Sequence, residues 1–194
     1  MKLDFGCGPR KKLGFVGVDI CPFQGVDILY DGKRLPLEDN SVDEVYSSHV
    51  FEHVPDLFAT VADLYRVSKD GATWTIAVPH FSSPWFCYTW DHLRPFGALS
   101  FKNADARLRD SCEQFLWGSI NLRTERVKFH WWADLNYLRD YHLQDKPAWK
   151  RALLRSISAL LSTLANAAPF LCDRIWCRWV GGFGEVVFTL RVVK

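Results

Sequence analysis

The chain has 194 residues, 48% of them hydrophobic and 24% charged, and a net charge of +2, which fits a single domain with a sizeable core. Six cysteines (7, 21, 87, 112, 172 and 177) lack the density or regular spacing of a disulfide framework, so free thiols in a reducing cytoplasm are expected. Cys172 and Cys177 have no second Cys/His pair at finger distance, so no metal site is expected, and Met1 opens no basic-apolar-small leader of a secreted chain.

In chain order, LDFGCGP at Leu3 to Pro9 is an apolar strand that breaks into G-x-G. Such a turn exposes backbone N–H groups, and Gly6 and Gly8 carry no Cβ to obstruct a ligand lying on it. Asp19 closes the next apolar run, GFVGVDI, and in a parallel sheet it stands beside that turn, where a carboxylate can accept both hydroxyls of a ribose. The pair reads as a nucleoside-binding edge. A dinucleotide fingerprint fits worse: G-x-G-x-x-G needs glycine where Lys11 stands, and Asp19 comes too early for the usual spacing of about twenty residues. Only PRKKLGFVGV separates Gly8 from Asp19, and part of it must be the second strand, whereas a full crossover needs at least about 10 to 12 residues, so the first helix is a stub or absent.

Further strands are expected at Val26 to Tyr30, Val42 to Ser47 and Ala72 to Val78, with a helix from about Asp56 to Val67. That helix carries Leu57, Val61, Leu64 and Val67 on one face, and SKDG at Ser68 to Gly71 reads as its stop followed by a turn. The strand TWTIAVP is continuously apolar, as in a buried parallel strand.

On LDFGCGP, the acidic residues that close successive apolar runs, and the segment DGKRLPLEDNSVDEVYSSHVFEHVPD (Asp31 to Asp56), the chain resembles the class I S-adenosylmethionine (SAM)-dependent methyltransferases. The likeness is strongest to small bacterial members with LPF-x-DNS-x-D and EH-V-P-D, of the kind found with surface-glycan and lipid pathways, and it covers Met1 to Ser83 best. It implies an α/β, Rossmann-like, seven-stranded and mostly parallel sheet with an antiparallel last strand, here with a shortened first helix. It also implies SAM as cofactor, with Asp4, Gly6, Cys7 and Gly8 around its methionine part and Asp19 on its ribose. Asp31 would face the adenine amino group with Gly32 beside it, and Ser48 and His49 would line the floor near the sulfonium. Because the sequence opens on its first strand, the N-terminal helix that often covers SAM in these proteins is not expected.

Residues 80–101, HFSSPWFCYTWDHLRPFGALSF, hold Phe81, Trp85, Phe86, Tyr88, Trp90, Phe96 and Phe101 without a clean period. In open α/β sheets ligands bind outside the carboxyl ends of the strands, which makes this insertion the candidate acceptor pocket and lid, or else a loop with buried aromatics. Related methyltransferases carry a DH-x-R-PF element here, which adds weight to Asp91, His92 and Arg94. Two more strands are expected near Arg123 to Trp131, with His130 on a strand face, and at Gly184 to Val193.

Between them, residues 146–182 form a helical, basic and apolar insertion in an otherwise single domain, 1–194. Net charge is +6 after Asp145 and −4 up to and including it, without the dense Lys/Arg clustering of a nucleic-acid-binding face. Leu153, Ile157, Leu160, Leu161 and Leu164 recur at helical spacing in a run uncharged from Ser156 to Cys172, interrupted by Pro169 and followed by Phe170, Trp176 and Trp179. The run is too short and too polar to span a bilayer, but it suits an interfacial element on an anionic membrane. A hairpin packed on the domain or in a homodimer interface is the equal alternative.

Methyl transfer to a hydroxyl needs alignment of the acceptor, exclusion of water and a base. His92 and His80 are the leading bases, with His53 and His49 in reserve. The expectation is a cytoplasmic, membrane-peripheral enzyme that methylates a sugar or lipid-linked hydroxyl. The alternatives are a non-catalytic binding subunit with this fold, or a small-molecule N- or C-methyltransferase.

Overall fold

The computed structural model describes residues 1–83, 89–131, 147–177 and 182–194. Seven strands, β1 (Lys2–Phe5), β2 (Val16–Asp19), β3 (Ile28–Leu29), β4 (Val42–Ser48), β5 (Ser68–Pro79), β6 (Leu122–Trp131) and β7 (Phe183–Val192), form one sheet in the order β3-β2-β1-β4-β5-β7-β6. Pairs β1–β2, β1–β4, β2–β3 and β4–β5 are parallel, and β7 and β6 make the antiparallel end. The expected fold class is the observed one, including the shortened first connection: among the described residues no helix intervenes between β1 and β2.

Two compact units are distinguished. The first comprises Met1–Ala77, Ser100–Arg126 and Phe188–Lys194. Its core holds Leu3 and Phe5 of β1, Val42 and Val45 of β4, and Trp74 and Ile76 of β5, all buried. Helix α1 (Leu57–Val67) starts at Asp56, whose carboxylate accepts the Ala59 N–H at 2.9 Å. Its buried face is Thr60, Val61, Leu64, Tyr65 and Val67. The helix ends at Ser68, as expected. The following strand, however, begins at Ser68 itself rather than at Ala72, because Ser68 pairs with Val42 and its hydroxyl joins the buried Trp74 indole at 2.9 Å to the Leu64 carbonyl at 2.7 Å. A register shift between Val42 and Glu44 then absorbs Gly71, whose φ is 75°.

The LPL segment is fastened to α1 by Arg66, whose guanidinium donates to the Leu35 and Leu37 carbonyls at 3.0 and 2.9 Å and pairs with Asp39 and Asp63. Held this way, the segment between β3 and β4 runs as turns, and β3 shrinks to two residues instead of the five expected. A short helix that the sequence reading left unassigned, α2 (Ser111–Trp117), is opened by a capping box between Asp110 and Glu113.

The second unit comprises Val78–Leu99 and Val127–Val187. Helix α3 (Ala148–Ala167) is followed by a single turn, α4 (Pro169–Leu171), that widens into a π-helical turn at Cys172–Trp176. The buried residues of α3 are Ser158, Ser162 and Ala165. Ser162 Oγ accepts the Trp131 N–H at 3.2 Å, Asn166 Oδ1 accepts the Phe129 N–H at 2.8 Å, and Asn166 Nδ2 donates to the Phe129 carbonyl at 2.9 Å. Strand β6 is the last of the sheet, so its outer backbone groups need such partners. The polar face of α3 is therefore turned in, with Leu153, Leu160 and Leu164 out (Leu160 and Leu164 are 60% and 61% exposed) and Leu154 and Leu161 half-buried at its margin. Among the described residues no helix is long and apolar enough to cross a membrane.

Candidate functional site

Parallel order puts the carboxyl ends of β3, β2, β1 and β4 side by side, and with them Asp31, Asp19, the turn Gly6–Gly8, and Ser48 with His49. The turn is anchored by the Val18 carbonyl, which accepts the N–H groups of Gly6 and Cys7 at 2.7 and 3.1 Å. Gly6 has φ 74°, and a Cβ there would lie 2.1 Å from Val50 Cγ2, so no larger residue fits. At Gly8, with φ 54°, a Cβ would meet nothing within 4 Å: the turn is open on that side.

Two carboxylates hold the turn and the loop after it. Buried Asp4 accepts the Lys12 N–H at 2.7 Å and so ties the loop back to β1; burial pushes its carboxyl up, against the pull of the Lys12 N–H and ammonium. Asp19 Oδ2 accepts the Gly8 N–H at 2.8 Å and Oδ1 the Cys21 N–H at 2.9 Å. An ionised carboxylate has about four acceptor positions, so a half-exposed Asp19 keeps capacity for further donors. Cys7 turns inward: its Sγ is 2.8 Å from where a Cβ on Gly17 would stand, and burial, with the Asp4 and Asp19 charges, pushes its thiol up.

Asp31 is exposed and accepts the N–H groups of Lys33 and Arg34 at 2.8 and 3.2 Å, which hold its carboxyl below the usual range; Gly32 beside it takes φ 80°. Beyond Ser48, His49 adopts φ 55°, uncommon without glycine, while its N–H extends the ladder to the Ala77 carbonyl at 2.9 Å. The open side at Gly8 and the acceptor capacity of Asp19 and Asp31 suit an adenosine with an aminoacyl tail.

His80 and His92 belong to the second unit. His80 is fully buried; its Nε2 is 3.0 Å from Asp173 Oδ1 and its Nδ1 2.8 Å from Ser82 Oγ, and its ring meets those of Phe129 and Phe183 edge-on. Asp173, from the π-helical turn, also accepts the Ala98 N–H at 2.9 Å. His92 is half-buried, its N–H donating to the Thr89 carbonyl at 3.3 Å. Trp85, Phe86, Tyr88, Cys87, Trp179 and Lys146 lie outside the described residues. Sequence reasoning missed Asp173, which sits 93 residues from His80. It also missed Glu52, a fully buried carboxylate beside His49 and His53, for which EHVPD was the available signal.

Residues 3–76 match the family model for a methyltransferase domain. No curated protein matches the sequence. Among solved structures, a SAM-dependent methyltransferase from Archaeoglobus fulgidus is similar with a TM-score of 0.54 at 19% identity, over 98% of this chain and 85% of that one. The phosphoethanolamine N-methyltransferase 2 of Haemonchus contortus in complex with SAM gives 0.52 at 16% identity, over 100% of this chain and 48% of that one. The [4+2]-cyclase SpnF gives 0.51 at 14% identity, over 99% and 75%. These likenesses show the fold. The match of residues 3–76 to a methyltransferase domain supports a SAM-dependent methyltransferase with SAM as its cofactor.

Proposed function

We propose that the protein acts as one domain at the cytoplasmic face of a membrane and methylates a hydroxyl of a sugar or lipid-linked acceptor. The observation that carries this reading is the outward apolar face of α3. Leu153, Leu160 and Leu164 stand exposed there, continued by Phe170, Leu171, Ile175 and Trp176, in the part of the chain that holds the excess of basic residues. An apolar cavity of about 320 Å³, lined by Leu161, Leu164, Leu171, Ile175, Trp176 and Phe183, opens in the same region and suits an acyl or prenyl chain. A second copy of the chain is the competing occupant.

SAM supplies an activated methyl group. Asp19 would hold its ribose, Asp31 its adenine, and the turn at Asp4, Gly6, Cys7 and Gly8 its aminoacyl tail, with Gly32, Ser48 and His49 alongside. His92 is the better candidate base, because His80 is buried with both ring nitrogens already engaged. Removing a base by His92→Ala should lower kcat and flatten the acidic limb of the pH profile with SAM affinity unchanged.

The test is to incubate the protein with methyl-labelled SAM and a lipid and glycan extract. Label recovered in an organic-extractable or glycan molecule supports the reading. Label confined to a water-soluble amine would replace it with a small-molecule N-methyltransferase, and no transfer despite SAM binding would favour a binding subunit. Asp19→Ala should weaken SAM binding by about 1.5 to 3 kcal/mol in calorimetric titration, the scale for losing charged hydrogen bonds.

A further inference from the structure

We infer that Cys172 and Cys177 are a site of reversible oxidation, a dithiol that peroxide converts into a disulfide within the π-helical turn. Both are free thiols, and the Cys177 S–H donates to Cys172 Sγ. The turn brings them together. On an α-helix the neighbours of a side chain are three and four positions away, so residues five apart diverge. Here the Cys177 N–H donates to the Cys172 carbonyl, the i→i+5 bond of a π-helix, which stacks these two positions one above the other. Contacts within the same unit hold the turn. Asp173, next to Cys172, accepts the Ala98 N–H at 2.9 Å and lies 3.0 Å from His80 Nε2, and Ser82 donates to the Cys177 sulfur.

The two sulfurs are unequal. Burial pushes both thiols up, and Cys177 further, because it is 4% exposed and its proton is shared with Cys172. Cys172 is half-buried and lines the apolar cavity, where a small oxidant can reach it. The thiolate is the reactive form, so Cys172 is the sulfur oxidised first and Cys177 the one that resolves it. The Cys172 thiolate attacks hydrogen peroxide: an S–O bond forms, the O–O bond breaks and hydroxide leaves. Cys177 Sγ then attacks the sulfur of the resulting sulfenic acid. The S–S bond forms, the S–O bond breaks, and the Cys177 proton departs with the hydroxyl as water. The thiols give up two electrons, and the peroxide is reduced to water.

The resulting bridge is a labile one. Side chains one helical turn apart have Cβ atoms roughly 5–6 Å from each other, against about 3.8 Å in a relaxed disulfide, so closing the bond draws the turn in. Strained disulfides are the easily reduced, regulatory kind. Formation of the bond does not depend on the transfer proposed above.

Arg174 lies between the two cysteines, so trypsin places them on separate peptides, Ser156–Arg174 and Ile175–Arg178. The folded full chain is treated with hydrogen peroxide, alkylated under denaturation and digested without reductant. The two peptides should be recovered mainly as a linked pair that dithiothreitol separates. Cys177→Ser should abolish the link and leave Cys172 as a sulfenic acid trapped by dimedone. Cys112→Ala, at an exposed position outside the turn, should leave the link unchanged. Recovery of both peptides separately alkylated, while the exposed Cys21 and Cys112 are oxidised, overturns the inference. So does Cys172 bridged to Cys21 or Cys112 instead, which would mark it as an ordinary accessible thiol. The parent's peptides decide the question even if Cys177→Ser fails to fold.

Discussion

Helices α1 and α3 are both amphipathic, yet they resolve amphipathicity in opposite senses. In α1 the apolar positions, Val61, Leu64 and Val67, are buried and the helix contributes to a core. In α3 the buried positions are Ser158, Ser162 and Ala165, and Leu153, Leu160 and Leu164 face out. The difference lies in what each helix meets. A face that packs on apolar side chains selects apolar partners, whereas the free edge of β6 presents backbone N–H and C=O groups that only polar side chains can satisfy. Periodicity identifies an apolar stripe but not whether that stripe is the inner face.

The comparison can be broken most directly by truncating one leucine on each helix. Leu64→Ala, at a fully buried position, should destabilise the protein by about 2 to 5 kcal/mol. Leu164→Ala should stay within about 0.5 kcal/mol, the usual range for surface changes. Equal losses in urea denaturation would mean that the α3 stripe is covered in solution.

Next in size is the charge around the outward face. Near an anionic surface each Lys or Arg contributes about 1 kcal/mol. Reversing Lys150, Arg151 and Arg155 to Glu should therefore release the protein from anionic vesicles in sedimentation while leaving SAM binding intact. A parent that ignores vesicles at low salt but runs as a dimer that dissociates when Leu160 or Leu164 is made polar would assign the face to a second copy.

The inward face is tested by Asn166→Ala, which strips the Phe129 N–H and C=O of the partners they have in α3. A loss of about 1 to 3 kcal/mol is expected, the penalty for unsatisfied buried groups. A neutral result in the same urea titration would deny that β6 dictates the orientation of α3.

The smallest effect sharpens a contrast in charge. Asp43 on β4 is lowered to about 2 by hydrogen bonds from Lys69 and the N-terminal amine. Its folded value lies below the ordinary 3.8, so its stabilisation is present above that pH and is lost as pH falls toward 2. Asp43→Asn should flatten the stability profile over that acid window and leave it unchanged near neutrality, whereas attachment through α3 should respond to salt.

Local signals made much of the fold legible. The G-x-G turn, Asp19 at the end of β2 and the capped, one-faced α1 depend on neighbours in sequence, and the short link from Gly8 to Asp19 left no room for a helix. What escaped depended on distant partners. Residues 26 to 30 look like a five-residue strand until Arg66 pulls the following segment onto α1. Asp173 reads as one acid in a basic region until it meets His80. Ser162 and Asn166 argue against a buried helix face unless β6 is known to need them. At the Gly6–Gly8 turn the glycines and the nearby acids were readable, but the use of Asp4 and Asp19 as struts for the turn was not, because both bonds go to backbone N–H groups.

The clasp of α3 on β6 also bears on how this protein can fail. An open terminal strand invites another chain to add to the sheet, a contact held by backbone ladders and slow to reverse. With Ser162 and Asn166 occupying that edge at Phe129 and Trp131, strand addition there is blocked, whereas contacts through the leucine stripe are side-chain only and yield to detergent. Overproduced protein should therefore form clumps that redissolve with native structure intact, rather than fibrils.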